Sequence, residues 1–205
     1  MNSEKELYFT VFTFPAFPHL SLRLSESLAN LGLGKMWRQV FANKSAMPAR
    51  QTPVMIAANA GMAGLGMFSL YAMHEMLGST ASTVVASIGS SAVLLYCAPS
   101  APFSQPRNVI GGHFFSCSAG IIVRQLPFIS DHAMLLGPCA LGCAILVMQA
   151  SNTIHPPAGA TAILATTSPL EAFFLVPVWY GSVSIVSTAI VLNHLVPGRR
   201  YPEYW

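Results

Sequence analysis

Between residues 51 and 198 the chain carries only five charged side chains: Glu75, Arg107, Arg124, Asp131 and Glu171. Soluble domains are about one quarter charged, and so long a tract with so few ionic groups cannot cover itself with a water-facing surface. The fold class that follows is all-α: a polytopic membrane helical bundle of five to six membrane elements. The remaining charge collects at the ends. Six of the ten Lys and Arg (Lys5, Arg23, Lys35, Arg38, Lys44 and Arg50) precede residue 51, and Arg199 and Arg200 lie near the C-terminus. Basic residues flanking a first span serve topology and lipid headgroups. The formal net charge of +3 therefore points to membrane lipid as a partner and not to nucleic acid.

Three segments result: an N-terminal arm over 1–50, a transmembrane domain over 51–198 and a short tail over 199–205. In the arm, Leu24, Leu28 and Leu31 recur at helical spacing among Arg23, Glu26, Lys35 and Arg38, which predicts an amphipathic helix lying on the membrane surface. A loosely ordered arm is the alternative. Glu4 and Glu6 before the apolar 7–14, with Pro15 and Pro18 after it, argue against a cleaved signal peptide.

Membrane-spanning helices need about 20 apolar residues. The first is read over 53–77, where Ala57 and Gly61, and Ala60 and Gly64, stand four apart, a spacing that lets helices approach closely in lipid. Further spans are read over 81–98, 109–126, 133–150 and 170–196, with a polar connection at 127–132. Ser168, Pro169 and Glu171 supply the start signals of the last span. Between the fourth and the last lies "NTIHPPAGATAILATT". The adjacent Pro156 and Pro157 stop one helix and start another, which can run only over 157–167. That short helix reaches about 16 Å, roughly half of the hydrocarbon thickness. Non-helical backbone at such depth is tolerated only where protein or a water-filled cavity surrounds it. If the short helix crosses, the chain makes six passes and the basic tail returns to the side of the basic arm. If it re-enters, there are five.

The four cysteines (Cys97, Cys117, Cys139 and Cys143) fall inside apolar segments and read as buried, inert thiols. "HEMLG" at 74–78 has Gly78 where a zinc motif needs its second histidine, so neither metal nor cofactor is expected. Trp179 and Tyr180 are read as packing or cavity-lining residues in mid-span, while Tyr201, Tyr204 and Trp205 suit an interfacial anchor. No Walker loop, dinucleotide fingerprint or nucleophile elbow is present, and the expectation is that the protein is not an enzyme.

"SQPRNVIGGH" (104–113) and "NTIHPPAGATA" (152–162) each follow a span, contain proline and open a new helix rich in small residues. Paired interrupted segments in two halves are the sequence pointer to a transporter's site. Both helix starts would aim free N–H groups and positive dipole ends at one region, an anion site. Arg107 adds a guanidinium fork for a planar oxyanion. His113 and His155 add donors or a proton taken up near neutral pH. Gln105, Asn108, Asn152 and Thr161 are neutral donors, and Gly111, Gly112 and Gly159 let backbones come close. Each residue taken alone also has a plainer reading. Arg107 can cap the fourth helix or bind lipid phosphate, His155 and Asn152 can satisfy backbone freed by the prolines, and the glycines can be packing positions.

These two stretches and the terminal "RRYPEYW" resemble the HPP family of integral membrane proteins, over roughly residues 35–205. The shared motif residues are Gln105, Pro106, Arg107, Asn108, Gly111, Gly112, His113, His155, Pro156, Pro157, Gly159 and Thr161. The resemblance implies a compact helical membrane domain and, from plastid members, transport of nitrite. It carries no catalytic role. The expected function is thus a multi-pass transporter or channel for a small inorganic anion, nitrite by resemblance. The alternative is a non-transporting scaffold or subunit of a membrane complex. Plastid envelope and cell membrane both stay open as locations. With so few helices, a pore between subunits would make the protein a homo-oligomer.

Overall fold

Prolines mark where the helices begin. Pro53, Pro106 and Pro127 each open a helix, where the missing N–H costs nothing and the ring pre-sets φ. The computed structural model describes residues 50–76, 82–167 and 175–205. Among these residues lie seven α-helices and no strand: α1 Pro53–Met76, α2 Ser82–Cys97, α3 Pro106–Arg124, the single turn α4 Pro127–Ser130, α5 Ala133–Ala150, α6 Ala158–Thr167 and α7 Leu175–His194. A 3-10 turn, Pro102–Ser104, joins α2 to α3. This is the all-α membrane bundle expected. The amphipathic arm, the 78–80 turn and the 168–171 helix start lie outside the described residues.

Stretches of α1 (Pro53–Met73), α5 (Ala133–Ala150) and α7 (Val176–His194) are long and apolar enough to cross a membrane. With 16 and 10 residues, α2 and α6 reach about 24 Å and 15 Å. Helix α3 packs on α5, α6 and α7 and buries residues along its whole length, although Arg107, Asn108, His113 and Arg124 make it less apolar than they are. Long apolar helices turn side chains outward instead: Val54, Phe68 and Met76 of α1, and Met134 and Leu146 of α5, are exposed. Lipid imposes this order, since polar side chains are tolerated at depth only inside the bundle.

Close approach of α3 to its partners depends on glycine. A Cβ on Gly112 would sit 2.6 Å from the His155 Cβ and 2.9 Å from the Thr153 carbonyl oxygen, and one on Gly111 2.7 Å from Thr153 Cγ2. Gly120, two turns further along α3, lies against the Ala162 carbonyl and Ala165 of α6. Contacts at Gly112 with Ala158 and at Gly120 with Ala165 mean that α3 and α6 run side by side in the same direction. The small residues of α1 behave differently from expectation. A Cβ on Gly61 or Gly64 would meet nothing within 4 Å, and it is Gly66 that admits a neighbour, the Tyr96 phenol.

Hydrogen bonds between element ends settle the number of passes. Arg107 at the start of α3 bonds the Ser151 carbonyl at the end of α5. The tail beyond α7 is tied to the same end of the bundle. Arg199 Nη1 donates to the Tyr96 carbonyl (3.1 Å) and to Asn193 Oδ1 (3.0 Å), while Nη2 reaches Met55 Sδ and Asn59 Oδ1 near the start of α1. Tyr201 Oη donates to the Ser104 carbonyl at 2.9 Å, and the Glu203 N–H donates to Gln105 Oε1 at 2.8 Å. The tail therefore returns to the side where α1 starts, and the short α6 counts as a pass. Six membrane elements result.

Several local readings need correction. Helix α3 begins at Pro106 and not at 109, because the Gln105 carbonyl accepts from both Asn108 N–H (2.9 Å) and Val109 N–H (3.0 Å), closing the first turn over the proline. The 127–132 connection contains the helical turn α4. Cys97 is exposed at the end of α2, and Trp179 faces outward from α7, so neither lines the interior.

Candidate functional site

The chain reverses between α5 and α6 through a left-handed residue. Asn152 has φ 53°, a conformation that asparagine tolerates better than other side chains. Thr153 N–H bonds the Met148 carbonyl (2.9 Å) and Asn152 N–H the Gln149 carbonyl (3.2 Å), the paired bonds that cap a helix C-terminus. Asn152 is thus accounted for by its backbone. After it the chain runs through His155 into Pro156 and Pro157, which have no N–H. The next three amides bond back one short turn: Ala158 to the His155 carbonyl (2.9 Å), Gly159 to Pro156 (3.1 Å) and Ala160 to Pro157 (3.2 Å). The expectation that the start of α6 offers free N–H groups to an anion therefore fails. Its prolines lack them and the following amides are engaged, which leaves only the dipole.

The reversal is pinned to α3. Arg107 is exposed, and its Nη2 donates to the Ser151 carbonyl at 3.0 Å. Asn108 Nδ2 donates to the Ile154 carbonyl at 2.9 Å. Ser151 Oγ donates to the Val147 carbonyl at 2.7 Å, so the 2.7 Å contact between Ser151 and Thr153 hydroxyls is donated by Thr153. Gln105 is buried and donates to the carbonyls of Pro99 (2.9 Å) and Ala101 (3.0 Å). Gly111 and Gly112 seat the loop as described above, and Leu141 Cδ1 lies 3.0 Å from where a Cβ of Gly159 would be.

The pinned loop drives His155 into the bundle, where it meets His113. Both imidazoles are fully buried, with ring centroids 5.1 Å apart and planes inclined at 60°. They do not bond each other. Between them stands Ser91 of α2, whose Oγ lies 2.7 Å from His155 Nε2 and 2.8 Å from His113 Nε2. The outer nitrogens are engaged as well: His155 Nδ1 with the Phe103 carbonyl at 2.7 Å, and His113 Nδ1 with Thr161 Oγ1 at 2.7 Å.

For two neutral rings the network assigns every proton, because one terminus is a carbonyl and can only accept. His155 must carry its proton on Nδ1 to donate to Phe103. Its Nε2 is then an acceptor, and Ser91 donates to it. Ser91 has one proton, so it must accept from Nε2–H of His113. The Nδ1 of His113 is left as an acceptor, filled by the Thr161 hydroxyl. The result is an unbroken, one-directional chain: Thr161 to His113 to Ser91 to His155 to Phe103. Ser116, three residues beyond His113 on α3, has a buried hydroxyl with no partner among the described residues.

Of the predicted site residues, the structure brings His113, His155 and Thr161 together. Gln105, Arg107, Asn108 and Asn152 hold the surrounding backbone, on the side of the bundle shared by the tail. Sequence reasoning missed Ser91 and the Phe103 carbonyl. Adjacent Ser90 and Ser91 inside an apolar span are a faint signal for the first, and a backbone carbonyl has none.

Comparison with known proteins agrees with this architecture. A family model described as "HPP, transmembrane region" matches residues 48–202. Two proteins of Dictyostelium discoideum, named only as transmembrane proteins, are each 33% identical, over 153 and 150 residues. These alignments cover 71% and 69% of this chain and 53% and 48% of the relatives, so the chain spans about half the length of the curated relatives it matches. No solved structure matches the chain.

Proposed function

We propose that this chain, which belongs to the HPP transmembrane-region family and is a multi-pass integral membrane protein, is a transporter or channel for a small inorganic anion, with nitrite the first candidate. It acts without enzymatic chemistry. The observation that carries this reading is the buried Thr161–His113–Ser91–His155 chain. Ionisable side chains at membrane depth are costly, and they are retained chiefly along ion and proton pathways. Arg107, exposed beside the loop that carries His155, is a cation that can attract an anion from the basic side. The resemblance to nitrite-transporting plastid proteins supports the choice of nitrite.

A second reading has its own support. Apart from the exposed Asn152, the polar side chains of "SQPRNVIGGH" and "NTIHPPAGATA" already have partners within the protein, as a rigid scaffold would require. Purified protein in liposomes, tested for nitrite, nitrate, formate and chloride flux, separates the two. Nitrite uptake above that of protein-free vesicles, lost in Arg107→Ala and His155→Ala, is the transporter's outcome. Folded protein that moves none of the four anions is the scaffold's.

A further inference from the structure

The hydrogen-bond chain through the two histidines has a direction, and that direction suits it to take up a proton. A proton arriving at the Thr161 hydroxyl lets the threonine pass its own proton to His113 Nδ1. His113 releases its Nε2 proton to Ser91, and Ser91 hands its own to His155 Nε2. Thr161, His113 and Ser91 each gain one proton and lose one. His155 gains one and becomes imidazolium, with Nδ1–H still on the Phe103 carbonyl and Nε2–H on Ser91. The amide carbonyl takes the proton no further, so the chain ends in a store.

No buried carboxylate among the described residues neutralises that charge. The titratable and charged groups on the elements packed about the pair are Tyr96 and Cys97 of α2, Arg107, Cys117 and Arg124 of α3, Cys139 and Cys143 of α5, and Tyr180 and His194 of α7; α6 has none. The tail, bonded to Ser104 and Gln105 beside Phe103, adds Arg199, Arg200, Tyr201, Glu203 and Tyr204. Its Glu203 is exposed. Asp131, exposed beyond the far end of α3, is the acid that follows next in the chain. The positive end of α6 opposes the imidazolium further. An uncompensated buried charge is costly, and a small anion entering beside it removes the cost. Each ligand then favours the other, as linkage demands. The unpartnered Ser116 hydroxyl, on the His113 side of α3, is a donor within the bundle that such cargo can use.

From this arrangement we infer that the protein carries its anion together with one proton, delivered through Thr161, His113 and Ser91, stored on His155, and released with the anion by the same relay run in reverse once the site opens to the other side. The inference rests on the transport reading, and its test separates the two. The full chain is reconstituted in liposomes holding a pH-sensitive dye, a nitrite gradient is imposed at equal pH, and uptake is corrected for protein-free vesicles. The expected result is about one proton entering per nitrite, with an inside-alkaline gradient shifting the limiting accumulation about tenfold per pH unit. Ser91→Ala should lower proton entry at least tenfold, and Ser91→Thr, which keeps the hydroxyl, should restore it. Nitrite entry that follows membrane potential without protons overturns the inference and leaves transport standing. Absence of flux for nitrite, nitrate, formate and chloride overturns the transport reading, and the inference with it. Nitrogen-15 NMR of the histidines in the full chain tests the store without any flux. Nδ1–H on neutral His155 and Nε2–H on neutral His113 are required, and the reverse tautomers would refute the chain's direction.

Discussion

Ser91→Ala is the perturbation that best tests the buried chain as a structural object. The alanine keeps the Cβ and removes one hydroxyl, which is both the acceptor for His113 Nε2 at 2.8 Å and the donor to His155 Nε2 at 2.7 Å. Each of the two nitrogens has this oxygen as its partner, and both lose it once it is gone. A void of hydroxyl size is also too small to admit water. Two buried imidazole nitrogens are left unpaired, each at about 1–3 kcal/mol, which sets an upper range of about 2–6 kcal/mol. Hydrogen bonds measured inside a membrane protein average about 0.6 kcal/mol, because the unfolded chain in the membrane also finds partners. Two such bonds set the floor near 1 kcal/mol. We therefore expect a loss of about 2–4 kcal/mol. Thr161→Val is the internal comparison. It removes only the terminal donor to His113 and should cost about half as much. Denaturant unfolding of the purified protein in detergent, followed by far-UV circular dichroism, measures both. A Ser91→Ala protein within about 0.5 kcal/mol of the parent, the usual span for neutral surface changes, would refute the proposition that the two histidines depend on this hydroxyl.

Glycine substitutions should divide by helix. Gly112→Ala places a Cβ 2.6 Å from His155 Cβ and is expected to cost at least 1–3 kcal/mol of overpacking, roughly. Gly61→Ala meets nothing within 4 Å and should be neutral or slightly stabilising in the same unfolding assay. Arg107→Ala loses one exposed bond to the Ser151 carbonyl and should lower stability by less than about 1 kcal/mol. A fall in nitrite flux beyond tenfold in that variant therefore reports on the anion's path and not on folding. In the tail, burial first and Tyr96 second hold the Tyr201 phenol above its ordinary value of 10.0. A group whose folded pKa is raised stabilises fully below its unfolded pKa and loses that contribution as pH rises above it. Unfolding midpoints should thus drop above about pH 10, and less steeply in Tyr201→Phe. That variant also loses the bond to the Ser104 carbonyl, worth about 1 kcal/mol at neutral pH.

The membrane bundle was legible from the chain alone, because span length and charge exclusion are set by the bilayer and act on local sequence. Proline spacing located the starts of α1 and α6 nearly to the residue, since a missing N–H is a local property. The start of α3 was placed three residues late, because the Gln105 carbonyl that closes its first turn leaves no compositional mark. The basic tail favoured six passes over five, and the tail contacts of Arg199 and Tyr201 decided between them.

What the amino-acid order determined, then, is a charge-poor helical membrane domain with two proline-opened helix starts and histidines beside them. Only the tertiary structure decided what those histidines touch. Ser91 joins residues 22 and 64 positions away, and Thr161 reaches His113 across 48. Such pairings depend on the depth and rotation at which helices settle against one another. Periodicity tells which residues share a face, but glycine contacts such as Gly112 on His155 set the approach that brings two faces to one hydroxyl.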